Sequence, residues 1–307
     1  MDRRHFVKAA AAVALPLWGS ARLLAAQQPV VASGRLTDSL VVLDVGGSNV
    51  PCSSADPQGL VVVDSGAAVP ASQLRAALQG VRQDAKVQTV FNTHYHAEQT
   101  GNNETLAEVG ARIIAHEHAR QWMCTDHWVP ARNRYDKARL KAAWPTDTFR
   151  VTGSLKTGTE QIDYGHLPLA HTDGDIYVFF RDSNVLAVGD VASPLRDPAL
   201  DYFTGAWIGG RVDAMDTILK LSNDQTRILP AAGLPMTRAE FKEERDMMEE
   251  VRSRVWARTL KGDSPDDMLK AGVLDGLRRR WKDPHKFLYD AAQGMFAHHN
   301  KLDPSVI

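Results

Sequence analysis

The chain has 307 residues, 44% of them hydrophobic and 24% charged, with a formal net charge of −1. That composition excludes a fibrous or disordered chain and leaves enough apolar residues for a sizeable core; it offers no cationic excess for nucleic acid or an anionic membrane as the main partner. Two cysteines, Cys52 and Cys124, are too few for a disulfide framework, although one bridge between them stays open in an oxidising compartment.

At the N-terminus, Arg3-Arg4-His5-Phe6-Val7-Lys8 precedes an apolar run over 9–26 and then polar Gln27-Gln28. Paired arginines, a short apolar stretch and small residues near 25–26 describe an export signal of the twin-arginine type. Pro16, Gly19, Ser20 and Arg22 cut the run below the roughly 20 residues that a membrane span needs. Residues 1–26 are therefore read as a signal peptide, and the mature chain as periplasmic or otherwise exported, without an integral span.

Past a polar leader, 39-SLVVLDVGG-47 and 60-LVVVDSG-66 are β-branched runs closed by glycines, and with 48-SNVPCSS-54 between them they read as a β-meander. Leu74, Leu78 and Val81 give 71-ASQLRAALQGV-81 helical spacing, and 86-KVQTVFNT-93 is a strand that ends in a His-x-His loop. A helix near 102–109, a strand at 111–116 and a helix across 117–124 follow. Residues 125–150 are rich in Trp, Arg and Asp and show no clear period. Short strands are then predicted near 148–151, 159–163, 166–170, 175–180 and 184–190, a helix near 211–222 and a strand at 226–230. Charged amphipathic helices near 237–260, 265–281 and 285–299 complete the chain.

Strands followed by helices, twice over, predict an α/β fold: two mixed β-sheets packed face to face between outer helices, a four-layer αββα sandwich. The expected division is a signal at 1–26, a domain at 27–240 and a C-terminal helical extension at 241–307. Functional side chains should gather on strand-end loops along one edge.

Four stretches fall at such ends: 94-HYHAEQ-99, 171-HTDGD-175, 189-GDV-191 and 230-PAAGLP-235. Their order and spacing resemble the metallo-β-lactamase superfamily, whose signature runs from a HxHxDH loop through a lone His and an Asp to a terminal Gly-His. The resemblance covers about residues 38–240. It extends to 59-GLVVVDSG-66, which fits a second structural motif, and to 100-TGNNETLAEVGARIIAHEH-118, which fits the helix and strand after the metal loop. It implies that His94, His96 and His171 form a first metal site and that Asp190 is the bridging carboxylate. In the second site, Glu98 stands where the family has Asp, Gln99 where it has His, and Ala232 where it has the His of Pro-Gly-His-Gly.

Three imidazoles and one open position make a sufficient catalytic zinc shell. Glu98 carries its carboxylate one methylene further out, Gln99 offers a neutral oxygen and Ala232 offers nothing, so one Zn2+ per chain is expected and a second should be weak or absent. A zinc ion so held lowers the pKa of bound water toward about 7, with Asp190 or Glu98 orienting that nucleophile or taking its proton. The expected function is an exported metal-dependent hydrolase of an ester, thioester, amide or lactam-type bond in a small-molecule substrate.

Two alternatives stay open: a catalytically inactive binding protein that keeps the cleft, and a mononuclear iron enzyme, like the sulfur dioxygenases of the superfamily, built on His94, His171 and Asp190. Asp64 is expected to orient a ligand imidazole from behind. His116, His118 and His127 are expected to be structural, and His298 and His299 to lie on a solvated face. Trp122, Trp128, Trp144 and Trp207 are expected to pack, with 122–145 and 202–210 as candidate cleft rims.

Overall fold

The computed structural model describes residues 31–84, 86–129 and 133–301; the signal reading of residues 1–26 lies outside them. The first sheet runs β1 (Val31–Arg35), β2 (Leu40–Val45), β3 (Ser48–Ser53), β4 (Leu60–Val63), β5 (Val87–Phe91) and β6 (Arg112–His116). β7 (His127–Val129) and β8 (Arg134–Asp136) form a separate hairpin, after which β9 (Asp147–Phe149) closes the first sheet beside β6. The first four strands pair antiparallel, β2, β3 and β4 as the predicted meander and β1 as an unpredicted edge strand, and β4, β5, β6 and β9 pair parallel. The second sheet holds β10 (Thr152–Thr157), β11 (Glu160–His166), β12 (Ile176–Phe180), β13 (Val185–Gly189) and β14 (Arg227–Pro230), antiparallel except for the parallel pair β13 and β14.

Alternation assigns each strand's two faces. Leu40, Val42, Val61, Val63, Phe91 and Ile114 meet Ile176, Val178, Phe180, Val185 and Ala187 in a core between the sheets. One residue out of phase, Val41, Leu43, Val62 and Val90 pack outward on Leu74 and Leu78 of α1 (Ala71–Val81). Past the one-turn α2 (Ala97–Thr100), α3 (Asn103–Ala107) adds Leu106 to that layer. Fully burying a Val or Leu is worth roughly 1.5–3 kcal/mol, so both faces of β2 contribute, one to each layer.

α4 (Glu117–Cys124) follows β6 directly. The outer face of the second sheet, with Phe179, Leu186 and Val188, packs on α5 (Ile208–Leu221), α6 (Arg238–Thr259), α7 (Pro265–Lys270) and α8 (Pro284–Asn300). These four layers are the predicted αββα sandwich, and α6 to α8 share the core of its second sheet.

Helix ends follow from local chemistry. Thr237 and Glu240 form a capping box at α6, Ser264 and Asp267 another at α7, and Asp283 caps α8 with Pro284 in its first turn. α7 stops at Lys270, short of the predicted 265–281, where Gly272 and Gly276 turn the chain at φ of 67° and 74°. The strand predicted at 166–170 is a loop beyond His166: Leu169 is left-handed at φ 57°, and the Asp175 carboxylate accepts from the backbone N–H groups of His171 and Thr172. Cys52 is buried in β3, Cys124 ends α4, and both are free. Burial pushes the Cys52 thiol up to about 12. Among the described residues, no helix is long and apolar enough to cross a membrane.

Candidate metal centre

The end of β5, the β11–β12 loop and the end of β13 meet at one edge of the sandwich, the position where parallel strands leave a crevice at their carboxyl ends. They bring together His94, His96 and His171, whose ligand nitrogens all lie within 4.8 Å of one another. His96 Nδ1 and His171 Nε2 are 3.0 Å apart. Among the described residues this is the one group of three or more metal-capable side chains that converges so closely.

The neighbours of each ring determine which nitrogen is free. The Thr93 hydroxyl donates to Asp64 Oδ2 at 2.8 Å, so its oxygen accepts from His94 Nδ1 at 3.1 Å. His94 Nε2 then carries a lone pair, and it is buried without any hydrogen-bond partner. His171 Nδ1 donates to the Ala199 carbonyl at 2.9 Å, which leaves its Nε2 as the acceptor. His96 Nε2 donates to Asp201 Oδ2 at 3.1 Å, which leaves its Nδ1 facing the other rings. Each imidazole is thus held by an oxygen behind it, the arrangement that fixes tautomer and direction in metal-binding histidines. Asp64 does orient an imidazole, through Thr93, and it holds φ at 62° to do so.

Charge follows the same geometry. Burial, reinforced by the His171 and His96 rings, holds His94 well below the ordinary histidine range, so it is neutral, the form that binds a cation. Burial works against charge on His96 too, but the Asp201 hydrogen bond and the charges of Asp201, Glu98 and Asp190 outweigh it and raise its pKa. Burial alone would push the Asp64 carboxyl up, and with Asp190 nearby it reaches about 8 in spite of the two hydrogen bonds from Thr93.

Asp190 places Oδ2 3.7 Å from His94 Nε2. Gly189 before it adopts φ +57°, and a Cβ there would lie 2.7 Å from Thr93 Oγ1, so the close approach of these two strand ends requires glycine. Glu98, in the first turn of α2, lines the cleft beside His96. Burial opposes its charge, but the His96 and His171 imidazoles and Arg196 together hold its pKa below the usual carboxylate value. Gln99 is fully buried and turns toward β3, its Nε2 3.5 Å from Ser48 Oγ and its Oε1 without a partner. Ala232 sits on the turn after β14, where the Pro230 and Gly233 carbonyls accept from Asn49 Nδ2 at 2.9 and 2.8 Å.

The family model for the metallo-beta-lactamase superfamily matches residues 55–233. The chain belongs to this superfamily. Among solved structures it is similar to a metallo-beta-lactamase from Pontibacter korlensis, at 16% identity and a TM-score of 0.57 over 72% of this chain and 99% of that one. DIM-1 metallo-beta-lactamase superposes at 16% identity and 0.55, over 72% and 98%. The stereoselective inverting sec-alkylsulfatase Pisa1 from Pseudomonas sp. reaches 0.61 at 15% identity, over 86% of this chain and 49% of its own. At such identities these likenesses speak for the superfamily fold alone. No curated protein matches the sequence.

On this superfamily scaffold His96 and His171 line a cleft of about 710 Å³, and His94 is fully buried. One wall is aromatic: Tyr95 stacks on Trp122 at 5.8 Å between centroids, and Trp122 meets His127 and Phe203 at 5.1 and 5.2 Å. Arg139 also lines the cleft and donates to the Thr100 hydroxyl and carbonyl at 3.1 and 3.3 Å. Of the 122–145 stretch, Trp122, His127 and Arg139 are among the residues that line the cleft, while Trp144 is held by the Arg139 carbonyl and Trp207 lies in the core.

His116 serves the fold: its Nδ1 accepts from the His118 N–H at the start of α4, its Nε2 faces the Arg150 carbonyl at 3.1 Å, and it stacks on His166 at 3.7 Å. His298 and His299 are exposed as expected but not merely solvated, because they stack on Trp207 and Trp256 at 3.7 and 4.1 Å. Sequence reasoning misses Asp201, Thr93 and the Ala199 carbonyl. Only Asp175, inside 171-HTDGD-175, had a local signal, as a carboxylate able to fold its own turn.

Proposed function

We propose that the chain is a hydrolase that holds one divalent metal ion, zinc, on His94 Nε2, His96 Nδ1 and His171 Nε2. The observation that carries this reading is the buried, unpartnered His94 Nε2 facing two further imidazole nitrogens. A buried polar atom left without a partner costs about 1–3 kcal/mol, and an ion on that lone pair removes the cost. A zinc ion at this position supplies Lewis acidity, acidifying a water and polarising the oxygen of the scissile bond. Asp190, beside His94, orients the attacking water, and ionised Glu98 at the cleft wall accepts its proton. The aromatic wall receives the apolar part of a small-molecule substrate, whose reactive bond is an ester, thioester, amide or lactam.

Gln99 and Ala232 favour a single ion, because neither can contribute an imidazole. Export belongs to the same proposal and is supported by Arg3-Arg4 and the short apolar run behind them; a mature mass beginning near Gln27 in periplasmic extract tests it. The functional test is elemental analysis of the gently purified chain, followed by hydrolysis of an ester, thioester, amide and lactam panel with and without chelator. About one zinc per chain and chelator-sensitive turnover are expected. Stoichiometric iron would favour the His94, His171, Asp190 reading, and a metal-free, inert chain would favour the binding-protein reading.

A further inference from the structure

Residues 190–201 reach all three imidazoles. Asp190 lies 3.7 Å from His94, the Ala199 carbonyl holds His171 at 2.9 Å, and Asp201 holds His96 at 3.1 Å. The segment has no helix or strand of its own, so its course is set from outside. Beneath it lies a cluster of charges from the helical half of the molecule. Arg211 of α5, with no exposed surface, donates from Nη2 to Ser193 Oγ at 2.9 Å and from Nη1 to Ala199 O at 3.4 Å, the same carbonyl that holds His171. Glu244 of α6 accepts from the Ser193 N–H at 3.1 Å and pairs with Arg279 at 3.1 Å. Arg279, between α7 and α8, donates to the Ser193 carbonyl at 2.8 Å and to the Arg196 carbonyl. At the rim, the Asp197 carboxylate accepts from the N–H groups of Lys282 and Asp283 at 2.9 and 2.7 Å.

Helix packing alone does not call for these groups. Burying an ion costs several kcal/mol unless its partners are well placed, and here, apart from the Glu244–Arg279 pair, the partners are the backbone and hydroxyl of one loop. We infer that Arg211, Glu244 and Arg279 are positioning residues: with Asp197 they clamp residues 190–201 and so set the direction of the His96 and His171 imidazoles and the place of Asp190 beside His94. The inference rests on the metal reading of those histidines, but not on any hydrolytic activity.

The test uses the full chain with Arg279→Met, the conservative Arg279→Lys, and Asp197→Asn at the part-exposed rim in case Arg279→Met does not fold. Nitrogen-15 histidine spectra of chelator-treated protein read the tautomers directly. Wild type should show protonated Nδ1 at His94 and His171; Arg279→Met should shift or broaden the His171 and His96 signals, and Arg279→Lys should restore them in part. Co2+ titration should show affinity roughly 2- to 10-fold weaker in Arg279→Met, below the range for groups that touch the imidazoles directly, with an altered visible spectrum, at urea concentrations where both chains are folded. Asp197→Asn should move both readings in the same direction. A variant with a lower urea midpoint but unchanged histidine signals and Co2+ affinity would make the cluster structural only and overturn the inference. A wild type that binds no Co2+ would defeat the metal reading, and the tautomer spectra would still decide the clamp.

Discussion

Replacing Asp201 by Asn keeps the shape of the side chain and removes its charge. In the structure one oxygen, Oδ2, accepts from His96 Nε2 at 3.1 Å and from the Tyr95 hydroxyl at 2.5 Å, on a side chain only 13% exposed. A hydrogen bond to a charged partner is worth about 1.5–3 kcal/mol and a neutral one about 0.5–1.5. The substitution should therefore cost about 1–1.5 kcal/mol of the support behind His96. Since about 1.4 kcal/mol is tenfold, Zn2+ should bind roughly 5- to 12-fold more weakly, near the lower end of what outer partners of metal ligands contribute. Competition between the protein and a chromophoric chelator at pH 7.5 measures this, with urea unfolding of the metal-free chains as the control for folding. Tyr95→Phe removes the second donor and leaves the charge on Asp201, so its effect should be the smaller of the two. An Asn variant that binds Zn2+ within twofold of wild type, at equal metal-free stability, would show that Asp201 does not aim His96.

Three further outcomes follow from the same geometry. His96→Ala removes one of three nitrogens and should abolish metal retention through gel filtration; wild-type metal content in that variant would take His96 out of the ligand set. Gln99→His should leave the metal count unchanged, since position 99 faces Ser48 and Ala232 still supplies no imidazole, and one additional ion per chain by elemental analysis would contradict this. Burial, with the His166 and His118 rings adding like charge, holds His116 at about 4 in the fold, against about 6.5 in an unfolded chain. The unfolded chain then binds more protons between these values, so stability is lost as pH falls from 6.5 toward 4, by at most ~3 kcal/mol for this group. Urea midpoints of the wild type should fall more steeply over that interval than those of His116→Asn; parallel profiles would refute the assignment.

Where a segment buries one face, its period is visible in sequence. α1 is legible to the residue because Leu74 and Leu78 carry the spacing and Pro70 precedes its first turn. Strands β2 and β4 bury both faces, in two different cores, and are legible instead as continuous β-branched runs that end at glycines. The β7–β8 hairpin is hidden within 125–150 because its cross-strand pair, Trp128 and Tyr135, is exposed at 41% and 62%, so alternation there marks no buried side. β1 hides for a related reason: Val-Ala-Ser-Gly-Arg has no pattern of its own, and its register comes from antiparallel pairing with β2. α7 fails at its end because Gly272 and Gly276 act through backbone φ, which composition over 265–281 does not reveal.

The site divides along the same line. An imidazole announces itself by residue type, so His94, His96 and His171 can be picked out from their places after strands. The groups that aim them have no such mark. Asp201 lies 105 residues from His96, the acceptor for His171 is a backbone carbonyl, and Thr93 matters only because Asp64 claims its hydrogen. A chain with the same three histidines but a differently anchored 190–201 segment would look equivalent in sequence and bind an ion less well, because the tautomer and direction of His96 and His171 would then be free to vary. Gln99 shows the converse. Its residue type suggests a degraded ligand, while its burial and its turn toward Ser48 indicate a side chain now packed against β3. Restoring an imidazole at that position would also require moving the side chain from β3 to the cleft, and residue identity alone does not supply that movement.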